Sequence, residues 1–293
     1  MKIVSGPASI DLGLRISSLL NFQVIPMEYK RFPDGECYIR FTENIKDEDI
    51  IIVQTTGPPQ DENLLHLLFL IDTAWNLGAS SVIAVVPYVA YGRQEVRYRP
   101  GEAVSSSTVF KLIKDLGVNH FITVDFHNPE PLYSFGNHFE NISAIPSLAR
   151  YLNKYDLSGA FSLAPDRGAV KFVKITSKIL KGDYGWLEKT RDKHTGEVTF
   201  NSKKWDIRGK DAVIFDDIIS TGSTMSHAVK TLRKQGARRI YVACVHPLLL
   251  GESRKRILQD GALEIIGTDS VKSPISFVSI APLIVEALKR WQR

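Results

Sequence analysis

The sequence predicts an α/β protein of two similar halves, each a mainly parallel sheet flanked by helices. Three observations carry this. Short apolar runs alternate with helix-period segments along the whole chain. In the first half IIIVQTT, a helix and LGASSVIAVVP match VIFDDIIS, a helix and QGARRIYVACVHP in the second, which reads as a duplicated βαβ unit. The reactive polar residues Arg93 and Gln94, Asp125 and His127, Asp166, and Asp216 and Asp217 all follow apolar strands. Parallel sheets bind ligands at that edge.

The elements follow in order. KIVS reads as a strand, the Gly6-Pro7 pair as a turn, and the next stretch as an amphipathic helix with Ser9 or Asp11 as its cap. A short strand is expected at Phe22 to Glu28. Phe32 to Glu36 forms a Pro-Asp-Gly turn, and alternating Cys37, Ile39 and Phe41 give the strand after it. Asp49 to Gln54 is a continuous apolar run, hence a buried strand. Asn63 to Leu77 has helical spacing and stops at Gly78. Val82 to Val86 is a strand ended by Pro87. The polar segment from there to Thr108, with Arg93, Arg97 and Arg99, is long for a connector, and long loops are often functional. Thr108 to Leu116 returns to helix, and His120 to Asp125 to strand.

In the second half, Leu163 to Gly168 follows a short strand and opens a helix at Ala169. Trp186, Glu188, Lys189 and Arg191 lead into a hairpin-like stretch, DKHTGEV. Val213, Ile214 and Phe215 form a strand, and Asp216 and Asp217 are expected where it ends. Ser220 to Thr224 is a small hydroxyl-rich loop before a helix, Ser226 to Lys234. Ile240 to Val245 is the next strand, and Pro282 to Trp291 a final helix.

Composition narrows the class. The 44% hydrophobic and 24% charged content is that of a globular domain, and the apolar stretches are too short to span a bilayer. The net charge of +5 suits anionic small molecules, and no run of five basic residues marks a nucleic-acid tail. Cys37 and Cys244 have no metal or redox spacing and fit a reducing cytoplasm. Met1 to Val4 runs directly into a strand pattern, so no targeting segment is expected.

Several site types are absent from the sequence: a P-loop, a dinucleotide fingerprint, a nucleophile elbow and paired zinc ligands. Taken singly, His127 reads as a satisfied loop histidine, Asp166 as a helix N-cap, and Lys189 and Arg191 as a solvated face. The Asp216-Asp217 pair is different. Two adjacent acids after an apolar strand repel unless a cation or hydroxyls meet them. The loop that follows offers free N–H groups and a helix dipole to an anion. A sugar phosphate satisfies both, with its phosphate in the loop and its hydroxyls on the acids.

These residues carry a specific resemblance. VIFDDIISTGST (213–224) resembles the ribose-phosphate loop shared by type I phosphoribosyltransferases and ribose-phosphate pyrophosphokinases, also called phosphoribosyl pyrophosphate synthetases. RFPDGE (31–36), VPYVAYGRQ (86–94), VDFH (124–127) and APDRG (164–168) resemble the pyrophosphokinases alone, in the family's order. The resemblance runs from Ser5 to about Ala287. It implies two duplicated phosphoribosyltransferase-like domains: residues 1–143 on the ATP side, 144–282 on the ribose 5-phosphate side, and a C-terminal helix, 283–293, packing back on the first. The implied reaction moves the β,γ-pyrophosphoryl group of ATP to O1 of ribose 5-phosphate, giving 5-phosphoribosyl 1-pyrophosphate and AMP, a step that feeds nucleotide biosynthesis.

The resemblance also implies roles. Lys189 and Arg191 would be catalytic, on a segment that closes over the reacting phosphorus, with Arg191 also on the ribose 5-phosphate. Phe32 would stack on adenine, beside Asp34, Gly35 and Glu36, while Arg93 and Gln94 meet the rest of ATP. Asp216 and Asp217 would bind the ribose hydroxyls, and Ser220, Thr221, Gly222, Ser223 and Thr224 the 5-phosphate. His127 and Asp166 would help hold Mg²⁺, partly through water. A homodimer or higher oligomer is implied, because the family's adenine pocket lies at a subunit interface; no nucleic acid or membrane partner is. The chain departs from the family's usual residues at Ser220, Ser223, Glu95 and Asn128. The alternatives are a type I phosphoribosyltransferase, which has no use for the first-half motifs, and a non-catalytic regulatory homologue, which would be expected to lose Lys189, Arg191 or an acid of the pair.

Overall fold

The structure is a computed structural model describing residues 1–128, 130–191, 198–201 and 203–291; for 189–191 and 198–201 it describes the backbone only. The chain divides into two compact units. The first comprises Met1–Ser143, Ser270–Lys272 and Ser279–Arg293, and the second Ala144–Asp269 and Ser273–Val278.

The first unit is built from β1 (Lys2–Ser5), α1 (Ile10–Leu20), β2 (Met27–Arg31), β3 (Cys37–Phe41), β4 (Asp49–Val53), α2 (Gln60–Asn76), β5 (Ser81–Val85), α3 (Ser105–Asp115), β6 (His120–Val124) and β7 (Phe139–Ile142). Its sheet has the order β1-β4-β5-β6-β7, and every pairing is parallel. The apolar runs at Ile50 to Val53 and Val82 to Val85 are fully buried, as strands covered on both faces should be. Phe110 of α3 meets Phe121, Phe126 and Phe135 edge-on at 5.7, 5.1 and 6.0 Å, an arrangement the ring quadrupoles favour. β2 and β3 stand apart as an antiparallel hairpin.

The second unit contains α4 (Ile145–Leu152), β8 (Phe161–Ala164), α5 (Val170–Leu180), β9 (Tyr184–Trp186), β10 (Glu188–Arg191), β11 (Val198–Asn201), β12 (Ala212–Ile219), α6 (Ser223–Lys234), β13 (Ile240–Pro247), α7 (Ser253–Gln259), β14 (Glu264–Thr268) and β15 (Ser276–Val278). Its sheet runs β15-β14-β13-β12-β8-β9, again all parallel. Apart from β9, the two sheets have the same strand order. Each also inserts an antiparallel hairpin ahead of a central strand: β2–β3 before β4 in one unit and β10–β11 before β12 in the other. The duplication read from IIIVQTT and VIFDDIIS therefore extends to the hairpins. The last helix, α8 (Ala281–Trp291), belongs to the first unit, where Ile284, Val285, Ala287 and Leu288 are buried and Arg290 pairs with Glu140 at 2.6 Å.

Four local expectations are corrected. The strand placed at Phe22 to Glu28 lies at Met27–Arg31, because it is defined by antiparallel pairing with Cys37–Phe41; only Val24 makes an isolated bridge, to Ile3. Ser9 does precede α1, but its hydroxyl does not cap the helix; it accepts the N–H of Thr55 at 2.8 Å. α3 begins at Ser105 rather than Thr108, since the N–H and hydroxyl of Ser106 both find the Gln94 carbonyl at 3.2 Å. The strand expected to stop at Phe215 runs on to Ile219, because β13 keeps pairing with it beyond the acids, Asp216 with Cys244 and Ile218 with His246. Residues 192–197 of the hairpin-like DKHTGEV stretch lie outside the described residues.

Candidate active site

In the second unit the anticipated residues converge at the carboxyl edge of the sheet. Asp216 and Asp217 lie within the final half of β12, and Asp166 follows the neighbouring strand β8. Asp216 is half-buried and Asp217 buried. The Asp216 carboxylate accepts the N–H of Asp217 at 3.0 Å. Burial, then the charges of Asp217 and Asp166, push the Asp216 pKa well above the ordinary carboxylate value. A hydroxyl or cation meeting the two acids would relieve this repulsion.

The loop after β12 is set by Gly222. It caps α6 at φ 76°, ψ 2°, a left-handed conformation. A Cβ there would lie 3.0 Å from the Ser253 Cβ and 3.1 Å from the Ile257 Cδ1. The Ser220 carbonyl accepts the N–H of Leu250 at 3.0 Å, which ties the loop to the segment before α7. No side chain caps α6, so the N–H groups of its first turn, from Ser223 on, point outward with the helix dipole behind them. Thr221 and Ser223 are exposed, with their hydroxyls 3.4 Å apart. Ser223 is helical, so its Cβ costs nothing in backbone strain. An anion with several oxygens fits this turn.

Asp166 acts on its own loop, its Oδ1 accepting the N–H of Gly168 at 2.9 Å and of Ala169 at 3.4 Å. That is cap-like behaviour, and it leaves Oδ2 as the second acceptor oxygen. Arg167 beside it pairs with Glu188 at 3.3 Å at the start of β10. Lys189 and Arg191 continue β10, paired with Phe200 and Val198. Their side chains lie outside the described residues.

In the first unit Phe32, Asp34, Gly35 and Glu36 form the exposed tip of the β2–β3 hairpin. Gly35 has φ 99°, the Phe32 N–H donates to the Glu36 carbonyl at 2.8 Å, and Asp34 accepts the N–H of Glu36 at 3.1 Å. Phe32, a large apolar ring, keeps 41% of its surface exposed. Arg93, exposed, and Gln94, half-buried, lie in the loop after β5, and exposed His127 lies beyond β6. His127 and Asp166 belong to different units. Among the described residues no three His, Cys, Asp or Glu side chains form a metal-chelating group.

Sequence reasoning passed over Asp61 and Glu62 in the first turn of α2. Glu62 forms an ion pair with Arg31, and Asp61 accepts the hydroxyl of Tyr91. Acids in a first turn read by themselves as helix-dipole partners, and no local signal distinguished them.

The chain is similar to known proteins over its whole length. Residues 1–117 match the N-terminal domain of ribose phosphate pyrophosphokinase, and residues 143–277 the phosphoribosyl transferase domain. A ribose-phosphate pyrophosphokinase of Methanothermobacter thermautotrophicus is 40% identical over 287 residues, 98% of this chain and 99% of that protein. One from Saccharolobus solfataricus is 37% identical over 272 residues, 92% of this chain and 93% of that protein. The crystal structure of phosphoribosylpyrophosphate synthetase from Mycobacterium smegmatis superposes with a TM-score of 0.88 at 25% identity, covering 99% of this chain and 98% of that one.

Proposed function

The chain belongs to the ribose-phosphate pyrophosphokinase family, and from that premise we propose how its own residues serve the reaction. It is an enzyme of this type, transferring the β,γ-pyrophosphoryl group of ATP to O1 of ribose 5-phosphate and releasing AMP. The match of residues 1–117 to a pyrophosphokinase domain disposes of a plain phosphoribosyltransferase, which lacks that half.

The observation carrying the residue assignment is the acid pair of β12 beside an uncapped α6 N-terminus. The 5-phosphate takes the N–H groups and hydroxyls of Ser220, Thr221, Gly222, Ser223 and Thr224. The ribose hydroxyls donate to Asp216 and Asp217, replacing repulsion with hydrogen bonds. Phe32 stacks on adenine, with Asp34, Gly35 and Glu36 around the nucleoside, and Arg93 and Gln94 meet the phosphates and adenosine. Lys189 and Arg191 neutralise charge at the transferred group, Arg191 also binding the ribose 5-phosphate. Transfer of this kind depends on in-line positioning and charge neutralisation more than on covalent chemistry.

Carboxylate and imidazole are donors that Mg²⁺ accepts while keeping waters and substrate oxygens in its shell, so Asp166 and His127 would each hold such an ion through a single ligand. When bound, the ion supplies positive charge to the ATP phosphates. The enzyme works as a homodimer or higher oligomer, and the exposed Phe32 tip accords with a pocket completed by a neighbouring copy. Free Cys37 and Cys244 suit a cytoplasmic setting.

The deciding assay incubates the protein with ATP, Mg²⁺ and ribose 5-phosphate and separates the nucleotides. AMP should accumulate, vanish with EDTA and return with Mg²⁺. ADP as the product would mean simple phosphoryl transfer, and turnover in EDTA would remove the metal role. Sedimentation of the active species checks the assembly; an active monomer would overturn it.

A further inference from the structure

We propose that the first turn of α2 positions both ATP-side segments of the first unit, Glu62 setting the Phe32 hairpin and Asp61 setting the Arg93–Gln94 loop. The proposal rests on the reading that those segments bind ATP.

The duplication makes this turn conspicuous. β4–α2 has the place in its sheet that β12–α6 has in the other. In β12–α6 the helix N-terminus is open and uncapped. Its counterpart in α2 also lacks a side-chain cap, but the loop before it is tied internally. Thr55 and Thr56 are buried, the Asn63 amide donates to the Gly57 carbonyl at 2.8 Å, and the Thr56 hydroxyl donates to the Tyr88 carbonyl at 3.0 Å. Asp61 and Glu62 then put two carboxylates on the first turn, which excludes a phosphate. The anion site of one unit is an acidic anchor in the other.

Each acid reaches a separate segment. Glu62 pairs with the Arg31 guanidinium at the end of β2 and accepts the Tyr29 hydroxyl at 3.3 Å. Arg31 also donates to the Gly35 carbonyl at 3.0 Å, so a continuous chain runs from α2 into the peptide between Asp34 and Glu36. Behind it, the buried His66 ring stands edge-on to Tyr29 at 5.1 Å, with its Nε2 3.9 Å from Glu62. The Arg31 hydrogen bond holds Glu62 below the usual carboxylate range, so the pair stays charged. Asp61 accepts the Tyr91 hydroxyl, and Tyr91 has φ 65°, a left-handed conformation that a bulky residue adopts only when something holds it. The Tyr91 carbonyl then accepts the Gln94 N–H at 3.1 Å, closing the turn that presents Arg93.

These are positioning residues, so the test must separate ATP from the other substrate. Glu62→Gln, Arg31→Gln, their double variant, Tyr91→Phe and Phe32→Ala are compared by KM for each substrate, kcat and melting temperature. Glu62→Gln, Arg31→Gln and Tyr91→Phe should each raise KM for ATP about three- to tenfold, with KM for ribose 5-phosphate within about twofold and melting unchanged. The double variant should be no worse than either single one, because both break one chain. Phe32→Ala raising KM for ATP while Glu62→Gln and Tyr91→Phe leave it unchanged would overturn the proposal. So would a rise in both KM values together with a loss of melting temperature. If Phe32→Ala leaves KM for ATP unchanged, the ATP reading of the hairpin fails, and the proposal with it.

Discussion

Gly222→Ala tests the proposed ribose-phosphate loop at its left-handed residue. At φ 76° a residue with a Cβ pays about 1–2 kcal/mol in the left-handed region. The new methyl would also stand 3.0 Å from Ser253 Cβ and 3.1 Å from Ile257 Cδ1. Both residues are 0% exposed and packed within α7, so neither can swing into solvent. Overpacking of this kind costs about 1–3 kcal/mol. If the loop holds its shape, the sum of about 2–5 kcal/mol should appear as a melting temperature roughly 5–15 °C lower. If it shifts to relieve the contact, the N–H groups at Ser223 and Thr224 leave the geometry proposed for the phosphate, and KM for ribose 5-phosphate should rise about tenfold or more. Thermal melts with initial rates at saturating ATP read both outcomes. A variant with unchanged melting and unchanged KM for ribose 5-phosphate would refute the role given to Gly222.

Three further outcomes are expected. Asp216→Asn should raise stability at neutral pH while abolishing turnover: the folded pKa is raised, so the folded state holds the proton more tightly, and stability is lost as pH rises above the unfolded carboxylate pKa. Melts at pH 5 and pH 8 should show a wild-type loss that the variant lacks; equal slopes would contradict it. Asp211 behaves oppositely, because Arg238 and Arg239, each 2.7 Å from its Oδ2, outweigh the cost of its burial and hold its pKa far down. Its stabilisation is present above the unfolded carboxylate pKa and lost as pH falls below it, so Asp211→Asn should cost about 2–3 kcal/mol at pH 7 and much less near pH 2 in denaturant titrations. Lys189→Ala should lower kcat about 100-fold or more with ribose 5-phosphate binding nearly intact by calorimetry, and unchanged turnover would remove Lys189 from the chemistry.

Much of the site was legible because its chemistry is local. A strand, two acids, a hydroxyl-rich loop and a helix sit within Val213 to Lys234, and their order alone predicts a sugar-phosphate site at a sheet edge. Apolar runs such as Ile50 to Val53 and Val82 to Val85 likewise fix buried parallel strands, because only burial on both faces tolerates them. The short elements β7, β14, β15, α4 and α7 escape the sequence, since three to eight residues carry too little periodicity to separate strand from helix from loop.

What only the tertiary structure decided were matters of partnership. β12 runs through Asp216 and Asp217 because β13 supplies main-chain partners beyond Phe215, and repulsion between side chains does not end a paired strand. Ser9 gives up its cap because the Thr55 N–H, 46 residues away, needs an acceptor in the core. Asp61 and Glu62 look like ordinary first-turn acids until folding brings Tyr91 and Arg31 to them. Backbone propensity and apolar period are properties of neighbours in sequence, so the sequence alone determined the fold class and the strand, acid pair, loop and helix proposed to hold the phosphate. Hydrogen-bond and charge partners distant in sequence exist only once the chain has folded, and they decided how the site is held.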